Sequence, residues 1–358
     1  MKYLPSNPPV GRCKYALWKS FLAAVAVVSV IYLITMNKKC IFTQTSTNLT
    51  SSNKEIRYFS NLNPQPHVVP RLNEKDYSRL INLTNFKFIV PNSCSNDNVF
   101  LAVIVTSAPK NLEARNTIRS TWGKNDEQVK TFFMLGAVDD ADVQETIFKE
   151  HLQYHDIVQG NFFDSYFNLT YKTVMALKFI TYHCTNATYI LKTDDDVFVN
   201  MPLLKNFLIN DLSPFGAVNC LLCHKMENMP ILRGSSKWAV KEEEFLGKIY
   251  PTYCNGPYSI LSPDVVFKLY QESQRQKYFY IEDVFLYGVV AGKFPEIQHT
   301  DIKNYTLWDL FAPGAYKTVR TQRNFLFGFL GMKPENLKEF WEFVKGRPVT
   351  RSLYDSVV

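Results

Sequence analysis

Val99-Phe100-Leu101-Ala102-Val103-Ile104-Val105 is an unbroken apolar run. A strand with one wet face alternates apolar and polar residues, so this run fits a strand covered on both faces. Thr106-Ser107-Ala108-Pro109 breaks it, and residues 111–122 then read as a helix with Arg115 and Arg119 at i, i+4. Thr131 to Gly136 repeats the buried-strand pattern. Val138 to Tyr154 reads as an acidic, exposed helix, and Asp156-Ile157-Val158 as a short strand. Leu169 to Tyr182 carries Tyr171, Val174, Leu177 and Ile180 at helical spacing, and Tyr189 to Lys192 is a further strand. Strands alternating with helices predict an α/β domain. Its mixed, mainly parallel sheet is flanked by helices, with ligand loops at the strand C-termini. A composition of 46% hydrophobic residues, with no repeat among 14 Gly and 18 Pro, excludes collagen-like, low-complexity and wholly disordered chains.

The strongest chemical signal is Lys192-Thr193-Asp194-Asp195-Asp196-Val197-Phe198-Val199-Asn200. In an extended chain Asp194 and Asp196 point to one side, about 6.5–7 Å apart. One carboxylate can then bind a divalent cation while the other holds a second ligand. Hard cations such as Mg²⁺ or Mn²⁺ favour oxygen donors and bridge to phosphates. Three carboxylates wedged between apolar runs also repel one another and call for a counter-cation, which a solvated acidic turn would not. A second acidic point, Glu282-Asp283, opens the apolar stretch Val284 to Gly288. Such a carboxylate can serve as a general base toward an alcohol, or can complement a helix N-terminus. Between them, Tyr250 to Ser259 reads as a shaped loop whose aromatic rings stack on a ligand or pack internally.

The formal net charge is +7, but residues 1–39 carry Lys2, Arg12, Lys14, Lys19, Lys38 and Lys39 and no acid. The rest of the chain is nearly neutral, so a nucleic-acid partner is not expected. Those cations bracket Ser20 to Met36, an uncharged run of 17 residues. As a helix it spans about 25 Å at roughly 1.5 Å per residue, near the ~27 Å of an early secretory bilayer. It lacks the small-x-small ending of a cleaved signal peptide. The expectation is a single transmembrane signal anchor at 20–36, with a cytosolic tail at 1–19 and the bulk in a lumen. A lumenal stem at 37–92, rich in Asn, Ser, Thr and Pro, follows, with order from Tyr77 onward left open. The folded domain is expected at 93–350 and a short tail at 351–358. Five N-x-T sequons follow the anchor. Asn48, Asn82, Asn186 and Asn304 are candidate glycan sites, whereas Asn168 begins a helix expected to pack on the sheet. In an oxidising lumen most of Cys94, Cys184, Cys220, Cys223 and Cys254 should pair, leaving at least one free. Cys220-Leu221-Leu222-Cys223-His224 matches a haem-attachment pattern, but disulfides, with Cys254 a candidate partner, fit this setting better.

Several segments together are more specific than any alone. They are Arg115 to Gly123, Asp156-Ile157, Asp164 to Thr173, Lys192 to Asn200, Tyr250 to Ser262 and Glu282-Asp283-Val284. In order and spacing they resemble the β-1,3-glycosyltransferases of family 31, which include galactosyl- and N-acetylglucosaminyltransferases. The resemblance covers residues 98–345. It implies a GT-A nucleotide-sugar-binding fold, a UDP-sugar donor, a Mn²⁺ or Mg²⁺ ion, and inversion at the anomeric carbon. It further implies a Golgi type II membrane enzyme building β-1,3 linkages on glycoprotein or glycolipid acceptors, in a class that often includes homodimers. Galactose is the expected donor sugar, with N-acetylglucosamine and N-acetylgalactosamine as alternatives.

Carried over by residue, the resemblance makes Asp196 the direct metal ligand and puts Asp194 near the ribose, with Asp195 completing the motif. Thr106, Ser107 and Arg115 would meet the nucleotide. Asp283 would be the catalytic base with Glu282 as its neighbour. Two departures stand out. Gly256-Pro257-Tyr258-Ser259 replaces the family's usual Gly-x-Gly-Tyr. The C-terminal segment Phe329 to Pro334 lacks the histidine that many members carry. His299, the only histidine after Asp283, is the candidate replacement as a metal ligand, with water as the alternative. Two other classes remain open on these departures: an inactive glycan- or UDP-sugar-binding protein, and a metal-dependent phosphotransferase or hydrolase. The second leaves the Glu-Asp-Val element unexplained.

Overall fold

A computed structural model describes residues 74–94, 99–307 and 324–346. Among them an eight-stranded mixed sheet runs in the order β1-β4-β3-β2-β5-β7-β6-β8. The strands are β1 (Phe88–Val90), β2 (Leu101–Thr106), β3 (Val129–Ala137), β4 (Ile157–Phe163), β5 (Tyr189–Asp194), β6 (Cys220–Met226), β7 (Tyr253–Leu261) and β8 (Gln298–Asp301). The contiguous set β4-β3-β2-β5 is parallel, β7 is antiparallel to both neighbours, and β8 runs parallel to β6.

The apolar runs behave as their pattern requires. Leu101, Val103 and Val105 face one core with Ile118 and Trp122, while Ala102 and Ile104 face the other with Val174 and Leu177. Helices α1 (Leu112–Ser120) and α2 (Ala141–Tyr154) follow β2 and β3, and α3 (Leu169–His183) follows β4. Helix α2 starts three residues later than its pattern suggests. Asp140 caps it, accepting from the backbone N–H groups of Asp142 and Val143. Helix α3 is buried from Thr170 to Thr181, so it is a central core element. Helices α4 (Met201–Phe207), α5 (Pro263–Ser273) and α6 (Pro334–Val344) complete the layers.

Two expectations are corrected. The segment Tyr250 to Ser259 is not a loop, because Tyr253 onward is strand β7. The ladder to β6 shifts register between Cys223 and Lys225, and this irregularity accommodates Pro257 inside a central strand. Tyr258 is fully buried and stacks on Phe327 with ring centroids 4.2 Å apart, so its ring serves packing.

The stem expectation also runs too far. Leu80, Ile81 and Phe86 are in the core, and β1 pairs antiparallel with β4. Lys178 of α3 donates to the carbonyls of Asp76 and Arg79, at 2.5 and 2.7 Å. Its Nζ also lies 5.2–5.7 Å from the ring centroids of Tyr77, Phe86, Tyr182 and Tyr270. Burial lowers its pKa to about 8. A Cys94–Cys184 disulfide closes this strap, and Cys223–Cys254 joins β6 to β7. Cys220 is buried and free. No helix among the described residues is long and apolar enough to cross a membrane. The expected anchor at 20–36, both tails and Asn48 lie outside the described residues.

Burying Leu80, Ile81 and Phe86 contributes about 2 kcal/mol each, against a typical net stability of about 5–15 kcal/mol. A secreted form starting at residue 93 should therefore show no cooperative thermal transition, whereas one starting at residue 54 should keep it. Equal melting of the two would contradict the strap's role.

Candidate active site

The site begins with strand register. Thr106, at the end of β2, lies beside Asp194 of β5 on one side and Met134 of β3 on the other. The loops leaving these parallel strands surround a cavity of about 710 Å³. Thr106, Ser107, Asp194, Asp195, Asp196 and Glu282 all line it, so six of the expected site residues converge there.

The aspartate triplet is not extended throughout. Strand β5 ends at Asp194, and Asp195-Asp196 form a turn. This turn gives the three carboxylates different tasks. Asp195 accepts from Ser107 Oγ at 2.6 Å and Asn111 Nδ2 at 2.9 Å, which locks the triplet to the β2–α1 loop. Asp194 is 36% exposed toward the cavity. Its carboxyl is raised above the usual range by burial, then by Asp196 and Glu282, against the opposing pull of Lys192. Asp196 is raised by burial and by Asp195. The C-terminal segment reaches Asp196 through its backbone. Met332 N–H donates to its carbonyl at 2.9 Å.

Arg115 does not meet the cavity. It is fully buried behind the wall, where Glu150 clamps its guanidinium at 2.8 and 2.6 Å. It also donates to Ser107 Oγ at 3.1 Å and to the carbonyls of Ala108 and Pro109. Its role is to hold the loop that holds Asp195. Arg119 extends the network to Glu150 and Asp156. His299 is likewise misplaced as a metal ligand. It sits on β8, at the sheet edge beyond β7 and β6, and its Nε2 is 2.6 Å from the Tyr287 carbonyl oxygen. Among the described residues no group of three or more His, Cys, Asp or Glu is arranged to hold a metal.

The residue that the sequence reading gave no role is Lys192. Its side chain is 3% exposed. It donates to the Gly256 carbonyl at 2.6 Å and faces Glu282 at 3.4 Å and Asp194 at 3.8 Å. Despite burial, those acids raise its pKa, so the ammonium stays charged. A lysine inside an otherwise apolar strand was the available signal, because buried lysines are rare without partners. Lys172 is similar: from α3 it holds the Ser107 carbonyl at 2.7 Å and Asp164 at 2.8 Å.

Asp283 stands beside the cavity. Its Oδ1 accepts from Val284 N–H at 2.8 Å, capping a π-helical segment Val284–Val290. Its Oδ2 faces Gly256, where a Cβ would lie 3.7 Å away. Burial, then Glu282, pushes its carboxyl up to about 7. The helix-capping and base readings of this pair are thus compatible, one oxygen serving each.

Of the sequons, Asn82 and Asn186 are exposed and Asn304 is half-buried. Asn168 Nδ2 is engaged with the Phe163 carbonyl at 2.8 Å, and Thr170 of the same sequon is buried against the Phe279 carbonyl.

Glu150→Ala leaves Arg115 buried without its carboxylate, a loss of about 3–5 kcal/mol for such pairs. Thermal unfolding should show a large drop in Tm, and an unchanged Tm would contradict the clamp.

The galactosyltransferase family model matches residues 113–303. Mouse (Mus musculus) β-1,3-galactosyltransferase 5 is 33% identical over 258 residues, covering 70% of this chain and 80% of the relative. Human (Homo sapiens) β-1,3-galactosyltransferase 5 is 30% identical, covering 72% and 82%. Mouse β-1,3-galactosyltransferase 1 is 30% identical, covering 74% and 80%. A solved galactosyltransferase, LgtC with donor and acceptor sugar analogues, aligns over 69% of this chain and 97% of its own at 9% identity and a TM-score of 0.35. With the motif residues gathered at one cavity and relatives matched over most of both lengths, the chain belongs to the galactosyltransferase family of hexosyltransferases that its motifs resemble.

Proposed function

We propose that this protein transfers a hexosyl group, galactose in the first instance, from a UDP-sugar to a glycan hydroxyl with inversion, forming a β-1,3 linkage on a GT-A scaffold. The observation that carries the reading is Lys192. It ties Asp194 at the end of β5 to Glu282 across one cavity, and Asp283, next to Glu282 in the chain, stands beside it. A volume of about 710 Å³ suits a nucleotide-sugar-sized ligand.

The residues fit a divalent cation. Asp194 and Asp196 both line the cavity, and burial and neighbouring acids disfavour their ionised forms, which a bound cation would favour. These two would hold Mn²⁺ or Mg²⁺, with diphosphate oxygens and water completing the shell in place of a histidine. When bound, the ion supplies neutralisation of the leaving diphosphate. The chain's own groups do the rest. Thr106 and the Ser107 loop, braced by Asp195, Lys172 and Arg115, shape the nucleotide end. Asp283, through Oδ2, accepts the proton of the attacking acceptor hydroxyl. Glu282 pairs with Lys192 beside it.

The reading extends to a type II Golgi membrane protein with a lumenal catalytic domain. The uncharged run at 20–36 and the two disulfides support it, since disulfides persist in oxidising compartments.

Two outcomes test the site. Acceptor-dependent UDP release should rise with pH through about 7, because the base works deprotonated and its carboxyl is held at about 7. Asp283→Asn should abolish turnover while UDP binding persists, and normal turnover in that variant would overturn the base assignment. Ionising acids held above their unfolded range costs stability as pH rises from about 4 toward 7. A cation favouring the charged form offsets that cost. Millimolar Mn²⁺ at neutral pH should therefore raise Tm by about 3 °C, and Asp196→Ala should remove the shift. A shift that survives in Asp196→Ala would sink the metal assignment.

A further inference from the structure

We propose that the turn before β1 carries an N-linked glycan at Asn82, and that the first sugar of this glycan sits in a groove of the fold as part of the structure. The inference rests on the lumenal reading above, because only a lumenal chain meets the glycan-transfer machinery. The turn holds Asn82 at its tip. Leu80 and Leu83 exchange both backbone hydrogen bonds at 2.9 Å, so Ile81 and Asn82 are the two central residues of a tight turn. Ile81 has a φ of 55°, a strained value for a β-branched residue. Its surroundings sustain that strain: the side chain is in the core, and its N–H donates to Gln274 Oε1 at 2.8 Å. The exposed Asn82 is thereby set against α3, where Tyr171 Oη donates to its Oδ1 at 2.6 Å. The Tyr171 ring is itself stacked on Tyr278 with centroids 4.4 Å apart. A side-chain amide is planar, so fixing Oδ1 fixes the direction of Nδ2. Nδ2 has no hydrogen-bond partner among the described residues. It is the atom that a glycan bonds. The bond from Nδ2 to the anomeric carbon forms as that carbon's bond to a lipid-diphosphate carrier breaks, and one amide proton leaves with the diphosphate. The substituted amide keeps Oδ1 as an acceptor for Tyr171. Asn168 has the opposite arrangement, since its Nδ2 is spent on the Phe163 carbonyl.

Asn82 lines a groove of about 390 Å³ that shares one wall residue, Phe163, with the catalytic cavity. None of the side chains lining the groove is charged, which suits a neutral sugar. Phe86 and Phe162 are buried beneath it, and Phe163, 53% exposed at the end of β4, supplies an aromatic wall. Asn161 ties the two sides together: its Oδ1 accepts from Lys87 N–H at 3.0 Å and its Nδ2 donates to the Asn85 carbonyl at 2.8 Å. The apolar face of a pyranose ring packs on Phe163, while its hydroxyls and acetamide group meet water and the exposed side chain of Asn85. A sugar bonded to the groove's own wall is already at high effective concentration, so little entropy opposes its seating. Once seated it bridges the strap before β1 to the end of β4.

The test uses the full chain made in secretory cells that keep mannose-rich glycans, which endoglycosidase H trims to a single N-acetylglucosamine on each asparagine. Peptide mass spectrometry should find Asn82 occupied. Trimming should leave Tm unchanged, because the seated sugar remains. Thr84→Ala removes the sequon but leaves the bond between Asn82 and Tyr171, and should lower Tm by about 3 °C. Thr84→Ser keeps the sequon and should keep the wild-type Tm. In a Phe163→Ala background Thr84→Ala should cost nothing further, since the wall that the sugar packs on is gone. Three results overturn the seat: an equal Tm for Thr84→Ala and the wild type, a fall on trimming as large as that in Thr84→Ala, or a Thr84→Ala loss undiminished by Phe163→Ala. A bare Asn82 beside an occupied sequon elsewhere overturns the seat while the lumenal reading stands. A chain bare at every sequon overturns both.

Discussion

The site depends on one buried charge. The Lys192 ammonium has lost water, and its replacement is the Gly256 carbonyl and the carboxylates of Glu282 and Asp194. A buried ion of this kind is tolerable only with such partners. Each partner lies on a different element: β7, the turn before the π-helical segment, and the end of β5. Satisfying one lysine therefore fixes the relative positions of Asp194, Glu282 and the Gly256 stretch of β7.

The rest of the molecule supports that arrangement in layers. Asp195 is held by Ser107 and Asn111, Ser107 by Arg115, and Arg115 by Glu150, so a buried chain of hydrogen bonds runs from α2 to the aspartate turn. Helix α3 contributes two buried lysines with separate duties. Lys172 reaches the cavity loop, and Lys178 grips the strap that precedes β1. The segment Leu326 to Met332 closes the far side, bonding backbone groups of Phe198, Asn200 and Asp196. It reaches Asp196 through the Met332 N–H, which donates to the Asp196 carbonyl.

Much of this was legible because it is periodic. Runs buried on both faces announce a parallel sheet, and Val99 to Val105 alternates between two cores as its composition demands. The convergence of Thr106, Ser107, the triplet and Glu282 is what the family resemblance implies, and the structure gathers them at one cavity. What escaped depends on long-range partners. Nothing local marks Arg115 as a brace until Glu150, 35 residues away, is seen beside it. His299 looked available because its chain position says nothing of a sheet edge or of the Tyr287 carbonyl. Gly256-Pro257-Tyr258 reads as a loop because local turn chemistry hides a register shift that lets proline lie inside a strand. The polar composition before residue 92 likewise masks three buried apolar side chains.

The central claim is that the cavity organised around Lys192 takes the nucleotide sugar at the triplet, with the acceptor hydroxyl reaching Asp283 beside it. A crystal structure of the protein grown with Mn²⁺ and UDP, measured for manganese anomalous scattering, tests it most directly. The account predicts an anomalous peak within coordination distance of Asp194 or Asp196, with the diphosphate against Thr106 and Ser107 and Asp283 Oδ2 open toward the vacant sugar position. UDP bound elsewhere, or a peak remote from both aspartates, would contradict it.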